Sequence, residues 1–243
     1  MRYVKGSLLV VLIWYLIGLL VNSPIIPLPH DVFIYLIQHH TTSHLSSHLL
    51  YSLYRIIMGL GIALFIAIPT GLLIGRKRAL DEVLSPVLYL LYPLPKIAFL
   101  PVFMVMFGIG DISKIILIAV IVFFPTAVSI RDGVKAIPNQ YIQLAEAYHL
   151  TPKLILREVI WPAILPRIFS AIRISLGIAL SVLFISESFA ASFGLGYSIM
   201  NSWIMANYTS MYAGIVLLSL LGLGLYIITD SLERIFIRYQ AER

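Results

Sequence analysis

The sequence predicts an all-α, polytopic membrane protein with six transmembrane helices, and three observations predict it. Of its 243 residues, 60% are hydrophobic and 12% charged, about half the charged share of a soluble domain; the mean hydropathy is +0.97. The apolar residues gather into six runs near the length of about 20 that crosses a bilayer as helix. The basic residues lie mostly between these runs and on alternate connections, as the positive-inside rule requires. The net charge of +6 is therefore a property of the loops, and the expected surroundings are a lipid bilayer, with no nucleic acid as partner. The chain has no cysteine, which excludes disulfides and thiolate metal sites.

The first predicted span covers about 6–23. Its basic start and apolar run resemble a signal peptide, but Asn22-Ser23-Pro24 follows in place of a small-x-small cleavage site, so it reads as an uncleaved helix. The second covers about 54–75. The third, about 83–107, is interrupted by Pro93, Pro95 and Pro101. The fourth, about 114–131, contains Pro125. The fifth and sixth cover about 167–190 and 209–230. Segments 1–5, 76–82, 131–173 and 231–243 hold every Lys and Arg except Arg55, Lys96 and Lys114, whereas 24–50 and 188–208 hold none. This places both termini and the long 131–166 connection in the cytoplasm, and an even number of spans satisfies it. The expected organisation is an N-terminal helix with an external segment (1–44), one transmembrane domain (45–238) and a short cytoplasmic tail (239–243).

The connection between the fourth and fifth spans carries the functional reading. Ile137-Pro138-Asn139-Gln140 reads as a turn into a helix over 140–150. Thr151 is an N-cap and Pro152 the first residue of a second helix over 153–160, which Pro162 and Pro166 should end or bend. Leu150, Leu154 and Ile155 would be partly exposed, and an apolar patch rimmed by charge usually meets a partner. The competing reading is a solvated loop folded back on the membrane surface.

Residues 143–166 are similar to the cytoplasmic loop of the permeases of binding-protein-dependent ABC importers. Anchored on Trp161-Pro162, the pattern matches at Ala145 and Pro162 and conservatively at Val159; Gln143 and His149 stand where the family has Glu and Gly. A second stretch, Tyr92-Pro93-Leu94-Pro95-Lys96-Ile97-Ala98 with Leu100-Pro101 and Phe107-Gly108-Ile109-Gly110-Asp111, resembles the nitrate, sulfonate and taurine branch. So do His48, Ser52-Leu53, Arg55, Pro69, Gly71 and Gly75, and Glu187 with Gly194-Leu195-Gly196-Tyr197. The resemblance covers about 45–238. It implies a type I ABC importer permease fold, a pore of two copies, most simply a homodimer, and a separate ATPase. An extracytoplasmic solute-binding protein would deliver the solute. It also implies a coupling helix within 140–160 that docks on the ATPase through Ala145, Glu146, Tyr148, His149, Leu150, Thr151 and Pro152. His adopts the positive φ of the family's glycine less readily, so a local change of the turn is expected.

Ionisable groups inside spans mark function or pairing. Lys96 lies about thirteen residues into the third span, roughly 20 Å along a straight helix, where broken helices often line a substrate site. It reads as an attractor for an anion such as a sulfonate or nitrate, as half of an internal ion pair, with Glu187 one candidate, or as a side chain snorkelling to a wet cavity. Glu187 reads as a pairing residue for Lys96 or Arg55, or as a second group on the path. Arg55 has the default of a snorkelling interface residue. His40, His44 and His48 fall one helical turn apart, but the intervening Ser and Thr and the absence of acids argue against a metal site. No phosphate loop or catalytic constellation occurs, so no cofactor and no ATP hydrolysis is expected on this chain. The expected function is the permease subunit of an ABC importer for a small anionic solute. The alternatives are an ion-gradient-driven secondary transporter, disfavoured by the absence of an internal repeat, and the same ABC class carrying a vitamin precursor.

Overall fold

The computed structural model describes residues 2–39, 45–189 and 191–237. Among these the chain is helical, without strands: α1 (Arg2–Val21), α2 (Pro29–His39), α3 (Leu45–Arg76), α4 (Arg78–Leu91), α5 (Leu100–Phe107), α6 (Asp111–Lys135), α7 (Asn139–Ala147), α8 (Pro152–Leu154), α9 (Trp161–Ser188), α10 (Leu195–Ile204) and α11 (Tyr208–Phe236). Four helices are long and apolar enough to cross a bilayer, namely α3, α6, Pro152–Ser188 and α11, and α4 with the Lys96–Phe107 segment makes a fifth span bent by 80°. The apolar part of α1, Gly6–Val21, is shorter than these. The six spans expected from the sequence thus appear as four long apolar helices, one span bent at a break and a shorter first helix.

The chain divides into two compact units. One comprises 1–54 and 183–221, the other 55–182 and 222–243; α3, α9 and α11 contribute residues to both.

In the first unit, Trp14 of α1 donates to the Pro27 carbonyl (3.1 Å) and stacks on Tyr212 of α11 at 5.6 Å. The short α10 ends at Ala206, with φ +54° and Asn207 N–H reaching back to Ser202 O. The Asn207 side chain then caps α11 by accepting from Ser210 N–H, so one asparagine closes one helix and opens the next. The sequence reading saw neither α2 nor α10; both are too short to register as spans.

In the second unit, α3 lies close against α6. A Cβ on Gly71 would come within 2.7 Å of the Ala127 carbonyl, and one on Gly75 within 2.7 Å of Val134. Small residues let two membrane helices approach this closely. Below this contact, Ile130, Val134, Ala145, Ile155, Ile160, Ile164 and Ile168 form a buried cluster. Asp81 of α4 ties that helix to α6 by accepting from Arg131 Nε and Lys135 Nζ, both at 2.6 Å, and from Ser85 at 2.5 Å. At the other end of α6, Arg55 is buried and pairs with Asp111 at 2.6 Å. It does not snorkel. The reason is that α3 begins at Leu45, well before the apolar run starts, so Arg55 lies inside the helix.

Pro162 and Pro166 do not stop the helix that precedes them. Pro152–Ser188 is one helix of 37 residues, with a π-helical turn over Ile155–Ile160. A proline ring clashes with the carbonyl four residues back, which for Pro162 is that of Glu158. The wider π turn contains that residue and makes room for the ring.

Candidate functional site

Three constellations hold the residues that the sequence singled out. The first is the loop between α7 and α8, in the second unit. Leu150 N–H donates to Ala145 O (3.1 Å), His149 N–H donates to Glu146 O (2.8 Å), and His149 has φ +54°. This is the Schellman arrangement, with His149 in the left-handed position usually given to glycine. The expected change of turn does not occur: histidine takes the glycine conformation, held by two backbone bonds. Thr151 then caps the next helix, accepting from Leu154 N–H at 3.4 Å, with Pro152 in its first turn.

The loop residues divide by orientation. Glu146, Tyr148, His149, Thr151 and Pro152 are exposed, and Tyr148 keeps 74% of its surface. Ala145 is turned into the core cluster, Leu150 packs against it, and Ile155 is buried in it. Ile155 was expected at the surface; the π turn carries it inward. Ala145 thus packs the loop onto the spans. Beside the loop, Arg76, Lys135, Asn139 and Glu146 rim a cleft of about 560 Å³ with Ile142, Ile155 and Ile160.

The second constellation is the break after α4, in the same unit. Pro93 and Pro95 have no N–H to give to the carbonyls of the preceding turn, so the helix stops although Tyr92 itself keeps helical dihedrals, and a 3₁₀ turn over Lys96–Phe99 precedes α5. The carbonyls of Leu91 and Tyr92 lose their helical partners, and Lys96 Nζ donates to both, at 2.7 and 2.8 Å. The ammonium also lies 4.4 Å from the ring centre of Phe124 on α6, a cation–π distance. Within its own unit, among the described residues, Lys96 Nζ is held by carbonyls and rings and not by a carboxylate. It is half-exposed and lines a cleft of about 320 Å³ with Tyr92, Leu94, Ile97, Ile121, Pro125, Ile178 and Val182. An apolar cleft with one oriented cation fits a small anion. Because the span is bent here, a depth counted along a straight helix does not apply to Lys96.

The third constellation lies in the first unit, around Glu187, which has 0% of its surface exposed. Ser52 Oγ lies 2.9 and 2.8 Å from its two carboxylate oxygens and donates to them. Gly196 N–H donates to Oε2 at 2.9 Å, Leu195 N–H to Ser52 Oγ at 2.8 Å, and Gly194 N–H to His48 Nδ1 at 3.0 Å. His48, Ser52 and Gly194-Leu195-Gly196, quoted separately in the sequence resemblance, thus meet at one carboxylate. In the other unit Arg55 pairs with Asp111. Sequence reasoning missed this knot, although His48, Ser52 and Arg55 recur at helical spacing as a polar stripe in an apolar helix. Of the three histidines weighed as metal ligands, His40 and His44 lie outside the described residues. Among the described residues no group of acids and histidines is arranged to hold a metal.

Long apolar helices, a proline-broken span and a helical connection with an exposed tip define a membrane transport subunit. The comparisons with known proteins make the class definite. Residues 59–238 match the family described as binding-protein-dependent transport system inner membrane component, and the chain belongs to that family. It is 32% identical over 237 residues to the taurine transport system permease protein TauC of Escherichia coli (strain K12), covering 94% of this chain and 86% of that one. It is 31% identical over 241 residues to SsuC of Bacillus subtilis (strain 168), a permease named for aliphatic sulfonates, covering 97% and 86%. In fold it is similar to inward-facing MetNI methionine ABC transporter structures, with a TM-score of 0.69 at 22% identity over 79% of this chain and 95% of that one. The chain is an ABC importer permease, a multi-pass membrane subunit and not an enzyme; the family implies an ATPase and a solute-binding protein as partners.

Proposed function

We propose that the chain forms the transmembrane path of an ABC importer for a small organic anion of the sulfonate or taurine kind, working as a homodimer in the cytoplasmic membrane with both termini inside. The single observation that carries the substrate class is Lys96, an ammonium held by two carbonyls and a ring at the edge of an apolar cleft. Two of its three donors are used, and the third is left for a ligand oxygen. The two sulfonate and taurine relatives support the same class. The α7–α8 loop is the ATPase-docking element: Glu146, Tyr148, His149, Thr151 and Pro152 present the contact face, and Ala145 and Leu150 anchor it to the core cluster. An exposed helical tip on a packed base suits helix-in-groove docking.

Two experiments test the reading. Tyr148→Asp should abolish co-purification of the ATPase while leaving the melting temperature of the isolated permease unchanged, since this side chain packs against nothing internal; retained ATPase binding removes the loop from the interface. Lys96→Gln, assayed in proteoliposomes with ATPase and binding protein, should lower taurine or alkanesulfonate uptake by roughly tenfold or more, the scale of one charge-assisted hydrogen bond, with basal ATP hydrolysis retained. Unchanged uptake takes Lys96 off the path. Uptake without ATP would favour the ion-gradient alternative.

A further inference from the structure

The start of α10 is capped from outside its own sequence. A helix leaves its first N–H groups without intrahelical partners, and the N-cap position here is Gly194, with no side chain to offer. Gly194, Leu195 and Gly196 give their N–H groups to His48 Nδ1, Ser52 Oγ and Glu187 Oε2 in turn. The position of α10 is thereby tied to α3, which carries His48 and Ser52, and to α9, which carries Glu187. There is no slack in this arrangement: a Cβ on Gly196 would come within 2.6 Å of the Phe184 carbonyl.

The three captors differ in chemistry. A hydroxyl does not titrate in the physiological range, and a carboxylate accepts over most of it. Histidine changes charge between about pH 5 and 8, and here the change falls on the atom that does the holding. Nδ1 accepts from Gly194 N–H only in the neutral ring with its proton on Nε2. A second proton, on Nδ1, would set a donor against a donor. Titratable groups near this ring, among the described residues, include Tyr197 of α10, whose ring centre lies 5.8 Å away, Glu187 of α9, which shares the captured turn through Ser52, and Tyr51 on the same helix, which stacks on Phe193 at 5.2 Å. Phe193 also packs on the His48 ring at 5.6 Å.

We propose that His48 is a proton-sensitive positioning residue: its neutral ring latches the Gly194–Gly196 turn and so fixes α10, and its protonation releases that turn and slows transport. Its effect on transport rests on the permease reading above, by which this end of α3 faces the outside and meets the external pH; the latch itself does not.

The absence of cysteine allows a clean test. Ser198→Cys places one thiol in the first turn of α10 at a buried position. Its maleimide labelling in the purified permease, normalised at each pH to the same thiol in denatured chain, should rise about tenfold from about pH 7.5 to about 5.5, the scale of one lost hydrogen bond. In the His48→Gln background, where the amide oxygen keeps an acceptor that does not titrate, the rise should vanish. Ser52→Ala should raise labelling at every pH. A flat profile in the parent protein, or an equal acid rise in His48→Gln, overturns the proposal; if His48→Gln fails to fold, His48→Asn and the parent profile decide it. In proteoliposomes with ATPase and binding protein, uptake should fall over the same pH range in the parent and not in His48→Gln. Absence of ATP-driven uptake at every pH, with the labelling shift intact, overturns the permease reading and leaves the latch standing.

Discussion

The turn before α8 and the turn before α10 do the same job by opposite means. Each contains a positive φ, at His149 (+54°) and Gly194 (+132°), and each delivers the chain into a new helix. The turn at His149 is satisfied from within ten residues, by Ala145 O, Glu146 O and the Thr151 hydroxyl. The turn at Gly194 depends on His48 and Ser52, more than a hundred residues away in sequence, and on Glu187 of the preceding helix. A locally closed turn can stand at an exposed tip and meet a partner without losing its shape. One closed by distant side chains moves when they move, and so suits a segment that must report on the rest of its unit.

Substitutions should separate the two regimes. The largest effect is expected for Glu187→Leu, which strips the buried turn of an acceptor and leaves Gly196 N–H and Ser52 unsatisfied, at about 1–3 kcal/mol for each stranded group. Thermal unfolding in detergent measures it, and a loss below about 1 kcal/mol would mean that the knot is not what holds α10. Thr151→Ala should cost about 1 kcal/mol, the ordinary value of a helix cap, and should fray only the loop, visible as faster amide exchange at Leu154 with the spans unchanged. A global loss of protection would show that this turn is not local after all. His149→Gly should act in the opposite sense and stabilise the turn by about 0.5–1 kcal/mol, because glycine takes a positive φ without strain. Destabilisation there would mean that the imidazole makes a contact of its own.

How much was legible in the sequence follows the same division. Thr151-Pro152 announces a helix start, Pro93 and Pro95 announce a break, and the Lys and Arg pattern supports the membrane class, because each signal acts through its neighbours or through composition. Pro162 misled: its rule assumes an α-helix before it, and the π turn over Ile155–Ile160 removes the premise; Pro166 sits inside α9. The polar partners went unread, since an intramembrane charge says that it needs a partner without saying which: Arg55 pairs with Asp111, and Glu187 accepts from a serine and a backbone amide. Ile155 and Ala145 read as surface from their place in a polar loop and are buried by a cluster drawn from α6, α7 and α9.

By itself, then, the sequence determined that this protein lives in a bilayer as a helical membrane protein, that prolines interrupt its third span, and that a capped helical loop stands between the fourth and fifth spans. These are consequences of hydropathy, of proline's missing N–H and of caps that reach a few residues. The tertiary structure alone decided that Lys96 is clasped by helix-end carbonyls beside a cleft, that Ala145, Leu150 and Ile155 of the loop face inward, and that His48, Ser52 and Glu187 hold one turn between them. The physical reason is that a buried polar group has to be satisfied by whatever packing brings within about 3 Å, and linear spacing does not record that distance.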